Sequence, residues 1–146
     1  GMNIDKWDRR YLNLAHIVST WSRDPSTKTG AVIVSPKNRV VSVGYNGFPT
    51  RVLDDDRLDD RAVKYEIIIH CEINALITAE RSIVGCTLYT YPFISCSRCA
   101  SVMIQAGIAR VVAPVNTNTS WEDRLIISRG LFNEANVFIT ELDKVD

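Results

Sequence analysis

Residues 87–113, TLYTYPFISCSRCASVMIQAGIARVVA, decide the fold. Thr87–Tyr91 reads as a strand. Cys96–Ala106 reads as a helix, and Gly107 closes it, because glycine takes the left-handed geometry of a helix C-terminus without steric penalty. Ile108–Ala113 reads as a second strand. A strand, a helix and a strand in succession form a βαβ unit, whose strands lie parallel in one sheet.

Upstream, residues 70–81 read as a helix with Ile73, Leu76, Ile77 and Glu80 at helical spacing. Gly30–Ser35 and Arg39–Gly44 are β-branched runs divided by Pro36-Lys37-Asn38, a hairpin signal. Asn3–Trp21 reads as an amphipathic helix with Trp7, Leu12, Leu14, Ala15, Ile17 and Val18 on its apolar face. It stops at Asp24-Pro25-Ser26, since proline disfavours helical geometry in the residue before it. Gly44–Pro49 is a loop with two glycines. Asp54–Arg61 is dense in charge and reads as a solvated loop or short helix. Downstream, Glu122–Phe132 is helical, weakened near its end by Gly130, and Asn136–Ile139 is a last strand. The order α-β-β-α-β-α-β-α-β predicts an α/β fold of three layers, α-β-α. Its five-stranded mixed sheet begins with an antiparallel hairpin and continues with parallel strands, and helices cover both faces.

The 146 residues suit one domain spanning 1–146. Apolar residues make up 46% and charged residues 23%, the mix of a globular protein. The formal net charge of zero argues against nucleic acid as a partner held by bulk charge. No apolar run approaches the roughly 18 residues that span a membrane, so no membrane partner is expected. Gly1 before Met2 reads as an expression scar, and no signal-peptide hydrophobic segment follows it, which makes a cytoplasmic location the default. Four cysteines do not make a disulfide scaffold here, and a C-x-x-C pair in a reducing compartment reads as metal-binding or redox.

His70-Cys71-Glu72 and Cys96-Ser97-Arg98-Cys99 carry the chemistry. One imidazole and two thiolates can hold zinc, and three protein ligands leave the fourth tetrahedral position open, as in a catalytic site. Glu72 is not needed as a ligand and is free to carry protons. Each motif begins a predicted helix, so two helix N-termini converge on one ion and favour the thiolates that metal binding requires. Alone, C-x-x-C is as often a redox pair or half of a structural zinc site, and H-x-E on a helix usually means nothing. H-x-E followed by P-C-x-x-C is the signature of zinc-dependent nucleobase deaminases, and this chain carries it with Ser95 in the proline's place. Cys71 and Cys86 read as buried small residues, and His16 as an ordinary core or surface histidine.

With Asp24-Pro25, Thr29–Val34, Gly44–Pro49, residues 70–75 and residues 96–100 taken together, the chain resembles the deoxycytidylate (dCMP) deaminase family over about residues 5–114. The resemblance implies a cytidine-deaminase-like fold and hydrolysis of dCMP to dUMP and ammonia, feeding thymidylate synthesis. It implies His70, Cys96 and Cys99 as zinc ligands and Glu72 as proton shuttle. Asn46 is expected against the sugar and base, Phe93 as a wall against the pyrimidine, and Ser22, Arg23 and Asp24 near the 5′-phosphate. The family often forms hexamers, so a homo-oligomer is expected. It also implies activation by dCTP and inhibition by dTTP, with Mg2+ accompanying the triphosphate. That effector site is expected at Tyr45, Asn46, Gly47 and Phe48, with Arg57 or Lys64 on the phosphates.

Two departures from the family pattern stand out. Cys71 replaces the usual alanine between histidine and glutamate. Ser95 replaces the usual proline before the first zinc cysteine, and Pro92 lies four residues before Cys96. Two rival readings remain open from the residues: a deaminase of another base or nucleoside, and a zinc-stabilised nucleotide-binding module without turnover.

Overall fold

In the computed structural model, which describes residues 3–143, five strands form one sheet. The reading of Gly1 as a scar lies outside the described residues. The strands are β1 (Gly30–Val34), β2 (Val40–Tyr45), β3 (Thr87–Tyr91), β4 (Arg110–Pro114) and β5 (Phe138–Leu142), in the spatial order β2-β1-β3-β4-β5. β1 runs antiparallel to both β2 and β3, whereas β3, β4 and β5 are mutually parallel. The antiparallel start therefore extends one strand beyond the hairpin, because the chain re-enters the sheet on the far side of β1. The hairpin turns at Asn38, whose φ of 62° suits a residue tolerant of the left-handed region.

The helices are α1 (Asn3–Ser19), α2 (Arg61–Ile67), α3 (Cys71–Thr78), α4 (Ser97–Ala106) and α5 (Glu122–Glu134). Successive strand residues point to opposite faces, and this splits the core in two. Val32, Val34, Tyr89 and Val112 pack with Tyr11, Leu12 and Ala15 of α1. Ala31, Ile33, Leu88, Val111 and Ala113 pack with Ala75 of α3, Ala100 and Met103 of α4, and Leu125 and Phe132 of α5. The result is the predicted α-β-α sandwich, with one helix on one face and three on the other.

Two glycines set distances that matter to the site. A Cβ on Gly44 would collide with the Ala75 amide and the Cys71 carbonyl oxygen, so α3 can press onto β2 only because that strand has no side chain there. Gly107 caps α4 at a φ of 95° and donates its N–H back to the Ile104 carbonyl.

Several boundaries differ from expectation. α3 ends at Thr78 rather than Arg81, with Glu80 in the left-handed region at φ 57°. The charged stretch forms a 3-10 turn at Asp56–Asp59 and leads straight into α2, which the sequence reading did not anticipate. Asp60 caps α2 by accepting the Val63 N–H, 3.3 Å away. β5 lies two residues later than read. Among the described residues no helix is long and apolar enough to cross a membrane.

Candidate active site

α3 and α4 begin side by side, and each offers its first residues to one point. His70 and Cys96 are the N-cap residues of the two helices, both with extended backbone, and neither side chain caps its own helix. Cys99 follows one turn into α4. The three ligand atoms lie within 4.8 Å of one another. His70 Nδ1 is 3.2 Å from Cys99 Sγ and 3.6 Å from Cys96 Sγ. A tetrahedral ion at Zn–S of about 2.3 Å and Zn–N of about 2.0 Å separates N from S by about 3.5 Å. The trio therefore fits zinc in both donor chemistry and spacing.

Electrostatics in the trio favour a cation. Cys96 is held down to about 3, first by a hydrogen bond from the Cys99 thiol and then by His70. Cys99 is driven far up, first by its bond to Cys96 and also by burial. His70 is raised, chiefly by its bond to Cys96. The groups thus share protons that a bound zinc would displace.

Glu72 is the second residue of α3, is 5% exposed and stands outside the ligand trio. Its carboxylate lines a cavity of about 470 Å³ together with His70 and Cys96. Cys71, read as a small buried residue, is indeed buried, and burial raises its thiol well above the usual range. Its sulfur lies against Glu72 Oε1 at 3.1 Å rather than among the three ligands. Cys86 is also buried, and the exposed His16 stacks on Tyr91 at 4.1 Å.

The remaining candidates are distributed unevenly. Asp24, Asn46, Phe93 and Lys64 line the same cavity. Asn46 is buried and engaged on both sides of its amide: Oδ1 accepts the Thr29 N–H at 2.9 Å, and Nδ2 donates to the Thr27 carbonyl at 2.9 Å. Phe93 stacks on Trp121, with centroids 5.9 Å apart. Lys64 was expected at an effector site, but it is buried in the cavity wall with Nζ 3.0 Å from Asp24 Oδ1. Its aliphatic stem is carried inward by the short α2, which explains the difference. Ser22 does not line the cavity; its hydroxyl donates to the Asn46 carbonyl at 2.9 Å. Arg23 does not line it either. Its side chain is 75% exposed and approaches Asp54 at 3.8 Å. Tyr45, Gly47, Phe48 and Arg57 also lie outside the cavity, and the Arg57 guanidinium sits 5.7 Å from the centre of the Phe48 ring.

Among the residues of the cavity wall that the sequence reading missed are Arg61, Trp121 and Arg124. Arg124 sits over the Trp121 ring at 5.0 Å, and Arg61 over Tyr65 at 5.1 Å. The spacing of Trp121 and Arg124 on one side of a helix start was the available signal. The unusual stretch before Cys96 contains a cis Tyr91–Pro92 bond, and Ser95 is buried without a hydrogen-bond partner for its hydroxyl among the described residues.

The family described as "Cytidine and deoxycytidylate deaminase zinc-binding region" matches residues 5–115. A deaminase of Aliivibrio fischeri, uncharacterised by name, is 40% identical over 142 residues, 95% of each chain. Human deoxycytidylate deaminase is 32% identical over 154 residues, 96% of this chain and 84% of the human one. The dCMP deaminase of cyanophage S-TIM5, solved with dCMP and dUMP, superposes with a TM-score of 0.76 over 97% of this chain and 98% of that one. At 20% identity, that likeness concerns the fold. With its zinc trio, its Glu72 and relatives above 30% identity along almost the whole length, the chain belongs to the cytidine and deoxycytidylate deaminase family of zinc-binding hydrolases.

Proposed function

We propose that the chain, as one domain over residues 1–146, hydrolyses dCMP to dUMP and ammonia. The observation that carries this reading is a single cavity lined by His70 and Cys96 of the zinc trio, a buried carboxylate and three cationic side chains. His70, Cys96 and Cys99 would hold the zinc, which as a Lewis acid lowers the pKa of water towards neutrality. Glu72 accepts a proton from the attacking water through its carboxylate. It delivers that proton to N3 of the cytosine ring, then takes the remaining proton of the hydroxyl added at C4 and passes it to the departing amine as the C4 carbonyl forms. The sum is dCMP plus water to dUMP plus ammonia. Phe93, stacked on Trp121, offers an aromatic wall for the base, and Asn46, whose amide is held by Thr29 and Thr27, braces the cavity wall on the side proposed for the sugar.

Nucleotide selection falls to cations on the cavity wall. Lys64 is already paired with Asp24, which leaves Arg61 and Arg124 as the guanidiniums for a 5′-phosphate. Arg23 and Ser22 stand outside the wall, which supports a lesser role for them than the sequence suggested.

Family resemblance also supports a homo-oligomer in the cytoplasm that responds to dCTP as activator and dTTP as inhibitor. Tyr45–Phe48 with Arg57 is the candidate effector surface. The carboxylates of Asp54, Asp55, Asp56 and Asp59 nearby would repel a triphosphate unless Mg2+ accompanies it.

The deciding experiment follows loss of cytosine absorbance and release of ammonia from dCMP by zinc-loaded protein, with and without dCTP and Mg2+. Turnover of dCMP well above deoxycytidine supports the reading. Zinc-replete protein that binds dCMP without turnover would make the chain a binding module instead.

A further inference from the structure

We propose that Cys71 is a positioning residue whose thiol holds the Glu72 carboxylate in place for proton transfer. This rests on the reading of Glu72 as the proton carrier. Cys71 and Glu72 are the first two residues of α3. Adjacent residues on a helix do not face each other, yet here Sγ and Oε1 are 3.1 Å apart. An ionised carboxylate only accepts hydrogen bonds, so the thiol is the donor. That commits the one thiol hydrogen, and Thr90 Oγ1, 3.7 Å away on β3, is left to donate to the sulfur. A hydroxyl–thiol–carboxylate chain therefore leads from the sheet to the reacting centre. Cys71 and Thr90 are each 1% exposed, and both line the cavity with Glu72. Among the described residues, the Cys71 thiol is the only protein group hydrogen-bonded to the Glu72 side chain. A free glutamate has three side-chain torsions to immobilise, and this contact removes part of that freedom.

The test has a spectroscopic arm and a kinetic arm. In zinc-loaded protein Cys96 and Cys99 are thiolates, and S–H stretching bands arise from Cys71 and Cys86 alone. Cys86 is the internal reference, buried and with no hydrogen-bonded partner for its sulfur among the described residues. The Cys71 band, identified by its loss in Cys71→Ala, is expected below that of Cys86. It should rise in Glu72→Ala, and by less in Glu72→Gln, whose neutral carbonyl still accepts. A Cys71 band that both glutamate variants leave in place would overturn the proposal. In the kinetic arm, Cys71→Ala is expected to lower kcat for dCMP about three- to tenfold, the scale of one hydrogen bond, with KM and zinc content unchanged. Cys71→Ser, which keeps a donor, should recover most of the loss. An unchanged kcat in Cys71→Ala would refute the positioning role. If the unaltered protein shows no turnover, the deaminase reading fails, and the infrared bands still decide whether the thiol holds the carboxylate.

Discussion

Lys64→Met tests the charge pair beneath the cavity. Lys64 Nζ and Asp24 Oδ1 are 3.0 Å apart, with side chains 5% and 6% exposed. Methionine keeps much of the stem's volume and removes the charge. Asp24 then keeps the Ser26 N–H at 2.8 Å and the more distant Asn46 amide at 3.4 Å, both neutral donors. Losing one partner of a buried pair costs about 3–5 kcal/mol, because the survivor stays charged without water. The two remaining donors place the expected cost near the lower bound, at about 3 kcal/mol. Asp24→Asn should cost about as much, since it strands the ammonium with Ser26 Oγ at 3.2 Å. The double variant should cost only about 1–2 kcal/mol, giving a coupling of several kcal/mol between the sites. Urea unfolding of all four proteins at one buffered free-zinc concentration measures this directly. A Lys64→Met cost under about 1 kcal/mol, or single costs that simply add, would refute the claim that the pair is interdependent and buried.

Four further outcomes follow from the same geometry. Glu72→Gln should lower kcat for dCMP by about 10²–10⁴ while metal analysis still finds zinc, the scale of a lost general acid–base group. Arg61→Ala and Arg124→Ala should each raise KM for dCMP and spare deoxycytidine, whereas Arg23→Ala should change the two substrates alike; steady-state kinetics on both substrates separates these. Gly44→Ala should lose both stability and zinc in thermal melts and metal analysis, because the added methyl meets the backbone at Ala75 and Cys71. Apparent zinc affinity, measured against a chromophoric chelator, should fall as pH falls. Cys99 is pushed up and releases a proton on binding throughout the neutral range, and His70, raised above its ordinary 6.5, adds a second below its own pKa. A pH-independent affinity would contradict that sharing of protons.

Most of the scaffold is legible from pattern alone. The hairpin, the βαβ unit and the capping Gly107 are local signals, and the zinc trio follows because two helix starts each carry their ligands within one turn. What escaped reading depends on contacts distant in sequence. α2 is seven residues long, too short to be helical by propensity, and it forms because Asp60 caps it and Lys64 finds Asp24 forty residues away. The same pairing moves Lys64 from an expected effector surface into the cavity. Arg61 and Arg124 come from segments more than sixty positions apart, and only the folded sheet brings both to one wall. Arg23 was expected near the phosphate from the family resemblance, yet the two neighbours part: Asp24 turns inward and Arg23 outward.

His70 and Cys96 stand at helix caps and leave their own helices uncapped. An ion bound there would be a shared end-piece for two inner helices, and its departure would loosen both together at their seam. Proteolytic lifetime should therefore follow metal supply. A zinc-starved cell would carry less of this protein, and not merely the same amount in an idle form.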